Sequence, residues 1–251
     1  MSDTWLDVLY YAALAANLAA AGLAWRGLRF WRWAGWSAGI LSAALLAALA
    51  WRLGRPPLGG VWESMALQVL CLNLLALWPC GDAEADRCLR ARVWLGAGLL
   101  LAVFLFLPRQ LFPAWFNYDY IWCRLFFCLR NAGLACFLFA ALAALASRDC
   151  GLGAAAGGRV LGWARNIILL GTAVFLAGEY CGFTWRLHWL GDYWSWNRNF
   201  LEATLVFLLA TAALHLPPRW AASREGRTLA LASPGLISVC LTVIHLISVR
   251  G

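Results

Sequence analysis

Eight blocks of apolar residues follow one another along this chain, and short segments that carry most of its charge separate them. Each block is close to the length that a helix needs to cross about 30 Å of hydrocarbon. Because the backbone in lipid has to satisfy its own hydrogen bonds, such blocks fold as helices. The pattern predicts an all-α integral membrane protein with about eight transmembrane helices in one membrane domain, residues 1–251. The blocks cover about 4–24, 34–51, 62–79, 93–107, 121–146, 166–182, 200–216 and 232–248.

The composition agrees with lipid as the surrounding solvent, because 63% of the residues are hydrophobic and only 13% are charged. All 20 basic residues are arginines, and all but Arg130, which falls within the fifth block, lie between the blocks or at helix ends, so a lipid bilayer is an expected partner and nucleic acid is not. The nine cysteines include no Cys-x-x-Cys pair, which argues against a redox motif or a zinc site. Most of these cysteines are expected to pack as small hydrophobic side chains.

The distribution of arginines predicts the orientation of the chain. Alternate inter-block segments contain twelve arginines in one set and seven in the other. Arginines favour the cytoplasmic side, so both termini are predicted to lie outside a bacterial-type plasma membrane. No basic residue precedes the first apolar block, so that block is expected to remain as a helix rather than to be cleaved as a signal peptide.

One predicted outer loop, residues 183–199, is unusually rich in aromatic residues. Tryptophans at the membrane interface account for one or two rings per helix end, whereas this segment has four tryptophans and a tyrosine. Such a surface suits a flat apolar ligand with polar edges, such as a porphyrin, although an interfacial loop without a ligand is the alternative. The rings belong to Trp185, Trp189, Tyr193, Trp194 and Trp196.

The spacing within this segment resembles the tryptophan-rich WWD domain of haem-handling membrane proteins, and within them the CcsA/ResC type of cytochrome c biogenesis protein. The family pattern reads approximately Gly-x-x-Trp-Ala-x-x-x-Trp-Gly-x-Tyr-Trp-x-Trp-Asp-Pro-Lys-Glu, followed by an apolar helix that ends in Leu-His. A second similarity is the run Pro57 to Ser64, with Glu63, at the start of the third block. The ungapped matches are Gly182, Trp185, Gly191, Tyr193, Trp194, Trp196 and His215.

The resemblance implies that haem b is bound transiently and presented outside the membrane to the Cys-x-x-Cys-His motif of apocytochrome c. A ResB/CcsB-like membrane protein would be the partner. The family position of His215 implies a haem site towards the inner side of the seventh span, and that of His245 implies an outer axial ligand of the haem iron. The thioether chemistry itself belongs largely to haem and thiols, so the protein positions them.

The family's second outer histidine is missing, and the approximate alignment places Cys123 there. Three candidates for the replacement ligand are in reach by sequence: His188, Cys123 and water. His188 lies inside the aromatic segment and is either an interfacial histidine or a substitute ligand. Cys123 is either a packing residue or a thiolate ligand, and we rank it below His188 because an apolar setting opposes the charged thiolate.

Three functions remain open at this point. The first is haem presentation as a CcsA-like subunit, which leaves open whether the chain is part of a cytochrome c haem lyase. The second is a CcmC-like haem carrier. The third is a non-catalytic membrane subunit of a respiratory or transport complex, in which the aromatic segment docks a partner or a quinone.

Overall fold

The computed structural model describes residues 4–79, 83–111, 120–150, 152–191 and 198–248, and these residues form helices without a strand. One short 3-10 helix, Val103–Leu105, extends the fourth α-helix. The α-helices are α1 Thr4–Trp25, α2 Trp31–Leu53, α3 Val61–Ala76, α4 Ala83–Ala102, α5 Ile121–Asp149, α6 Ala154–Leu190, α7 Arg198–Leu214, α8 Pro218–Ala222 and α9 Arg224–Ser248.

Each of the eight apolar blocks lies in, or largely in, one of the long helices. Six helices, α1, α2, α4, α5, α6 and α9, are long and apolar enough to cross a membrane. The prediction of an all-α, multi-pass membrane protein is therefore confirmed. The apolar helices α3 and α7 have 16 and 17 residues and fall short of that length, so six of the described helices have the length of a span, and eight spans stay a prediction.

Contacts within the structure divide the chain into two compact units, Met1–Ala114 and Trp115–Gly251. In the first unit α1 packs against α2 and α4, and α3 packs against the same two helices. The Tyr10 hydroxyl donates a hydrogen bond to the Leu101 carbonyl at 3.0 Å, which joins the start of α1 to the end of α4. Trp62 packs its ring against Tyr10 and Phe104 at the same end of this unit.

The second unit also consists of four long helices with neighbouring helices in contact: α5 packs against α6 and α9, and α7 packs against α6 and α9. The α9 helix begins beside the end of α5, where the Arg224 guanidinium donates to the carbonyl oxygens of Ser147 and Leu152. These are carbonyls at and just beyond the helix C-terminus, where a cation is favoured by the helix dipole. Gly235 then approaches the backbone of Phe137, which sets α9 antiparallel to α5.

Glycines bring α5 and α6 together over a long antiparallel contact. Gly171 faces Cys136, and Gly133 faces Phe175. At Gly178 an added Cβ would lie 2.9 Å from the Arg130 backbone nitrogen, so only hydrogen fits there. Lipid gives no hydrophobic drive for helices to associate, so such close approach and the dispersion contacts it allows hold membrane helices together.

The aromatic segment 183–199 was predicted as a loop, but its first half is helical. The α6 helix has 37 residues and runs to Leu190, where Gly191 with a φ of 64° ends it. Between Gly182 and Gly191 no residue breaks a helix, and the rings in this stretch pack on α5, so the helix continues. Residues 192–197 lie outside the described residues.

We predict that Gly178→Leu destabilises the second unit by about 1–3 kcal/mol, because the side chain would have to push apart two helix backbones. The measurement is thermal unfolding in detergent, followed by a thiol-reactive dye that labels the buried Cys123 and Cys136 as they become exposed. Gly162→Leu on the same helix is the control, since nothing lies within 4 Å of its added Cβ. Equal melting temperatures for the two variants would contradict the close-packing explanation.

Candidate functional site

Aromatic side chains from α5 and α6 meet at one end of the second unit, which we call the His188 end. Tyr120, just before α5, lies with its ring centroid 6.2 Å from the His188 ring and 6.0 Å from the Trp189 ring. Trp185, one turn earlier on α6, lies 6.1 Å from Phe126 and 6.3 Å from Phe127. The predicted site residues Trp185, His188 and Trp189 are therefore together.

The spacing of residues along α6 explains this arrangement. Gly178, Gly182, Trp185 and Trp189 recur every three or four residues, which places them on one stripe of a helix. The glycines bring the α5 and α6 backbones close together. The two tryptophans continue the same face of α6 as far as the level at which α5 begins. Trp185 Nε1 is buried and makes no hydrogen bond to any residue that the structure describes.

His188 and Cys123 differ in how accessible they are to a ligand. His188 is exposed on the last turns of α6. Cys123 lies on the first turn of α5 with a free thiol that is only 1% exposed, so a ligand reaches its sulfur only if neighbouring side chains move. As placed, the imidazole is open to a ligand and the thiol is not.

His245 lies towards the same end of the unit, on the last turns of α9. Gly235 faces Phe137 and Leu138, and α9 runs antiparallel to α5, so this pairing continued along the helices puts His245 level with Phe127 and Cys128. His188 is level with Tyr120, so the two histidines are offset along α5 by about seven to eight residues, or about 11 Å at 1.5 Å per residue.

His215 is not part of this group. It follows the last residue of α7 and is exposed, and its Nδ1 lies 3.0 Å from the Thr211 carbonyl oxygen of its own helix. If Nδ1 carries the proton in that contact, Nε2 is available to an external ligand. Only eight residues separate His215 from Arg224, which is bound to the far end of α5, so the chain returns His215 towards the end of the unit opposite His188.

Tyr193, Trp194 and Trp196, the remaining predicted aromatic residues of the site, lie outside the described residues. The structure describes no group of three or more His, Cys, Asp or Glu side chains placed to hold a metal ion.

The second resembling segment, Pro57 to Ser64, folds around a buried ion pair. Glu63 accepts hydrogen bonds from Arg55 Nη1 at 2.9 Å and Nη2 at 3.1 Å, and from the Gly59 backbone N–H at 3.0 Å. Ser64 Oγ donates to the Leu58 carbonyl at 3.2 Å. These partners show that Glu63 fixes the turn leading into its own helix.

A second ion pair, which the sequence reasoning did not identify as a site, joins the facing helices α5 and α6. Arg130 Nη1 lies 3.4 Å from Glu179 Oε1. The Arg130 guanidinium carbon lies 5.4 Å from the Phe126 ring centroid and 5.9 Å from the Phe175 ring centroid. The signal available in the sequence was the presence of two charged residues well inside apolar blocks.

We predict that Glu63→Gln lowers the free energy of unfolding by about 3–5 kcal/mol, because it leaves the buried Arg55 guanidinium without its counter-charge. Asp7→Asn is the control: Asp7 pairs with Arg109 at 2.9 Å but is 48% exposed, so its loss should cost at most about 1 kcal/mol. The double variant Arg55→Met, Glu63→Met should recover most of the loss, and unfolding in detergent measures all three. Similar losses for Glu63→Gln and Asp7→Asn would show that the buried pair is not structural.

Comparison with known proteins finds no family model and no curated protein that matches this chain.

Proposed function

We propose that this chain is a haem-handling membrane protein of cytochrome c assembly, similar in role to the CcsA/ResC type. Haem b is its transient cargo, which it holds for a Cys-x-x-Cys-His motif of apocytochrome c in company with a ResB/CcsB-like membrane protein. The observation that supports this most is the grouping of Tyr120, Trp185, His188 and Trp189 at the His188 end, with His245 on the same end of the unit.

The residues at this end fit a porphyrin in both shape and chemistry. The half-buried and exposed rings of Trp185 and Trp189 offer flat apolar surfaces, and the exposed His188 offers a neutral imidazole, which is a common axial ligand of haem iron. In the proposed complex His188 and His245 hold the iron, and the indoles cover the ring. The haem and the thiols supply the thioether chemistry, while the protein fixes the position of the macrocycle.

The placement of His215 supports a second haem position. It lies towards the opposite end of the unit from His188, and its Nδ1 is directed at the backbone of its own helix. A hydrogen bond of this kind holds an imidazole in one orientation and leaves Nε2 for a metal. In the proposal His215 receives haem towards the inner side of the membrane, and the His188 end presents it on the outer side.

For the orientation of the chain we propose eight spans with both termini and the His188 end outside. The short helices α3 and α7 would cross a locally thinned bilayer, as a helix of about 24–26 Å does when the hydrocarbon is thicker than its length. The α6 helix, about 55 Å long, exceeds the hydrocarbon thickness, so its last turns can stand in the outer interface.

The arginine-rich ends of both units support this orientation. In the first unit Arg90 lies over the Trp31 ring and Arg92 over the Trp25 ring, at the end formed by the α1–α2 turn and the start of α4. In the second unit Arg224 lies at the end opposite His188. Arginines are enriched on the cytoplasmic side of a membrane, and tryptophans occur at both interfaces.

The proposed orientation predicts that a single cysteine introduced at Trp189, in a variant whose free cysteines are replaced, reacts with a membrane-impermeant maleimide added outside intact cells. A cysteine introduced at the exposed Arg29, in the α1–α2 turn, is the control and should react only after the membrane is opened. The reverse pattern would exclude an outer haem surface.

The proposed ligands predict a low-spin, six-coordinate haem spectrum in protein purified with haem. His188→Ala should convert it to a five-coordinate spectrum, because it removes an axial imidazole, whereas Cys123→Ser should leave it unchanged. His215→Ala should lower the haem recovered without altering that outer spectrum or the membrane insertion. An unchanged spectrum in His188→Ala would show that His188 is not an axial ligand. Wild-type protein that stays colourless after incubation with haem would contradict the proposed function.

A further inference from the structure

Arg130 and Glu179 lie well inside their helices. Arg130 comes nine residues after the first residue of α5, and Glu179 eleven residues before the last residue of α6. At 1.5 Å per residue these positions are about 14 Å and 17 Å from the helix ends. Charged side chains at membrane depth are costly and usually have a function or a partner that accounts for them.

The buried pair Arg55–Glu63 shows how this chain forms a purely structural ion pair. There Arg55 Nη1 donates to one Glu63 carboxylate oxygen at 2.9 Å and Nη2 donates to the other at 3.1 Å, and the Gly59 backbone N–H donates to the same carboxylate. The two side chains are 7% and 0% exposed. This pair is sealed from its surroundings. Its hydrogen bonds are used to fix a turn.

The Arg130–Glu179 pair differs in geometry and in accessibility. It makes a single contact of 3.4 Å, and the two side chains are 21% and 31% exposed. Glu179 Oε1 is buried but accepts no hydrogen bond from any residue that the structure describes. The guanidinium has five N–H donors in a planar fork, so the contact with Glu179 leaves the pair able to bind a further acceptor.

The surroundings of the pair are apolar and partly open. The rings of Phe126 and Phe175 flank the guanidinium, and Gly178 puts no side chain beside Arg130. On the surface of α6, Leu176 and Phe183 lie three and four residues from Glu179 and are both exposed. A ligand that fits here has an apolar body and a single anionic group, and a planar carboxylate matches the arginine fork in both shape and charge.

We propose that Arg130 and Glu179 form an intramembrane binding site for the carboxylate of an amphiphilic ligand. Arg130 binds the carboxylate, and Glu179 is the resident counter-ion that competes with the ligand for the guanidinium. If the ligand is haem, its propionate is the group that Arg130 binds, and in this form the inference rests on the proposed function. The same chemistry fits the carboxylate of a membrane fatty acid.

The test compares acids with their esters, because an ester keeps the apolar body and removes the charge. Full-length protein in lipid nanodiscs is titrated with protoporphyrin IX or its dimethyl ester, and with doxyl-labelled stearate or its methyl ester. Binding is read from quenching of tryptophan fluorescence and from the spin-label spectrum. The variants are Arg130→Gln, Glu179→Gln, their double combination and, as the control, Arg165→Gln, an exposed arginine on the same α6 helix.

Wild-type protein should bind the acid of at least one probe about tenfold more tightly than its ester, the size expected for a charge-assisted hydrogen bond. Arg130→Gln should bring acid and ester to within about twofold, and the double variant should do the same without leaving an unpaired charge. Glu179→Gln should keep or increase the preference, because the competing carboxylate is gone. Arg165→Gln should leave it unchanged.

The outcomes separate this inference from the proposed function. A preference for the porphyrin acid alone identifies the propionate as the ligand group, and a preference for stearate alone identifies a fatty acid. The protein could prefer stearate to its methyl ester through Arg130 and yet give no axially ligated haem spectrum. That result would support the carboxylate site and overturn the proposed function. An acid preference that survives Arg130→Gln, or equal affinities for acid and ester in the wild type, would show that the pair only holds α5 against α6.

Discussion

The close contact between the backbones of α5 and α6 determines most of what the second unit can do. Because Gly133, Gly171 and Gly178 carry no side chain at the contact, the two helices approach closely and hold one antiparallel alignment. That alignment brings His188 and Trp189 beside Tyr120. In lipid, where apolar side chains gain little by leaving their surroundings, this packing is the main source of helix association.

The Arg55–Glu63 and Arg130–Glu179 ion pairs illustrate how one chemical pair has different consequences in different settings. The Arg55–Glu63 pair is fully enclosed and supports the turn into α3, so the resemblance of this segment to a family motif has a structural explanation here. The Arg130–Glu179 pair is longer, more exposed and bordered by phenylalanines. Enclosure and hydrogen bonding, rather than the presence of opposite charges, separate the structural pair from the proposed binding pair.

The proposed haem path has two positions because the histidines of the second unit lie towards opposite ends. His188 and His245 lie on one end, about 11 Å apart along α5, and His215 lies towards the other. The exposed imidazole of His188 and the buried thiol of Cys123 also differ in what each can bind without rearrangement. A membrane protein that receives a ligand at one side and presents it at the other needs such separated positions.

The sequence by itself determined that this is a helical membrane protein, because long apolar blocks have no other way to satisfy their backbones in lipid. It also identified the aromatic segment and the three histidines. The tertiary structure decided the rest. The α6 helix runs through Trp185 and Trp189 to Leu190, because these rings pack on α5 and no residue before Gly191 breaks the helix. The partner of Glu179 was equally beyond local patterns, since its ion pair with Arg130 depends on which helices face each other, and close packing between distant residues fixes that.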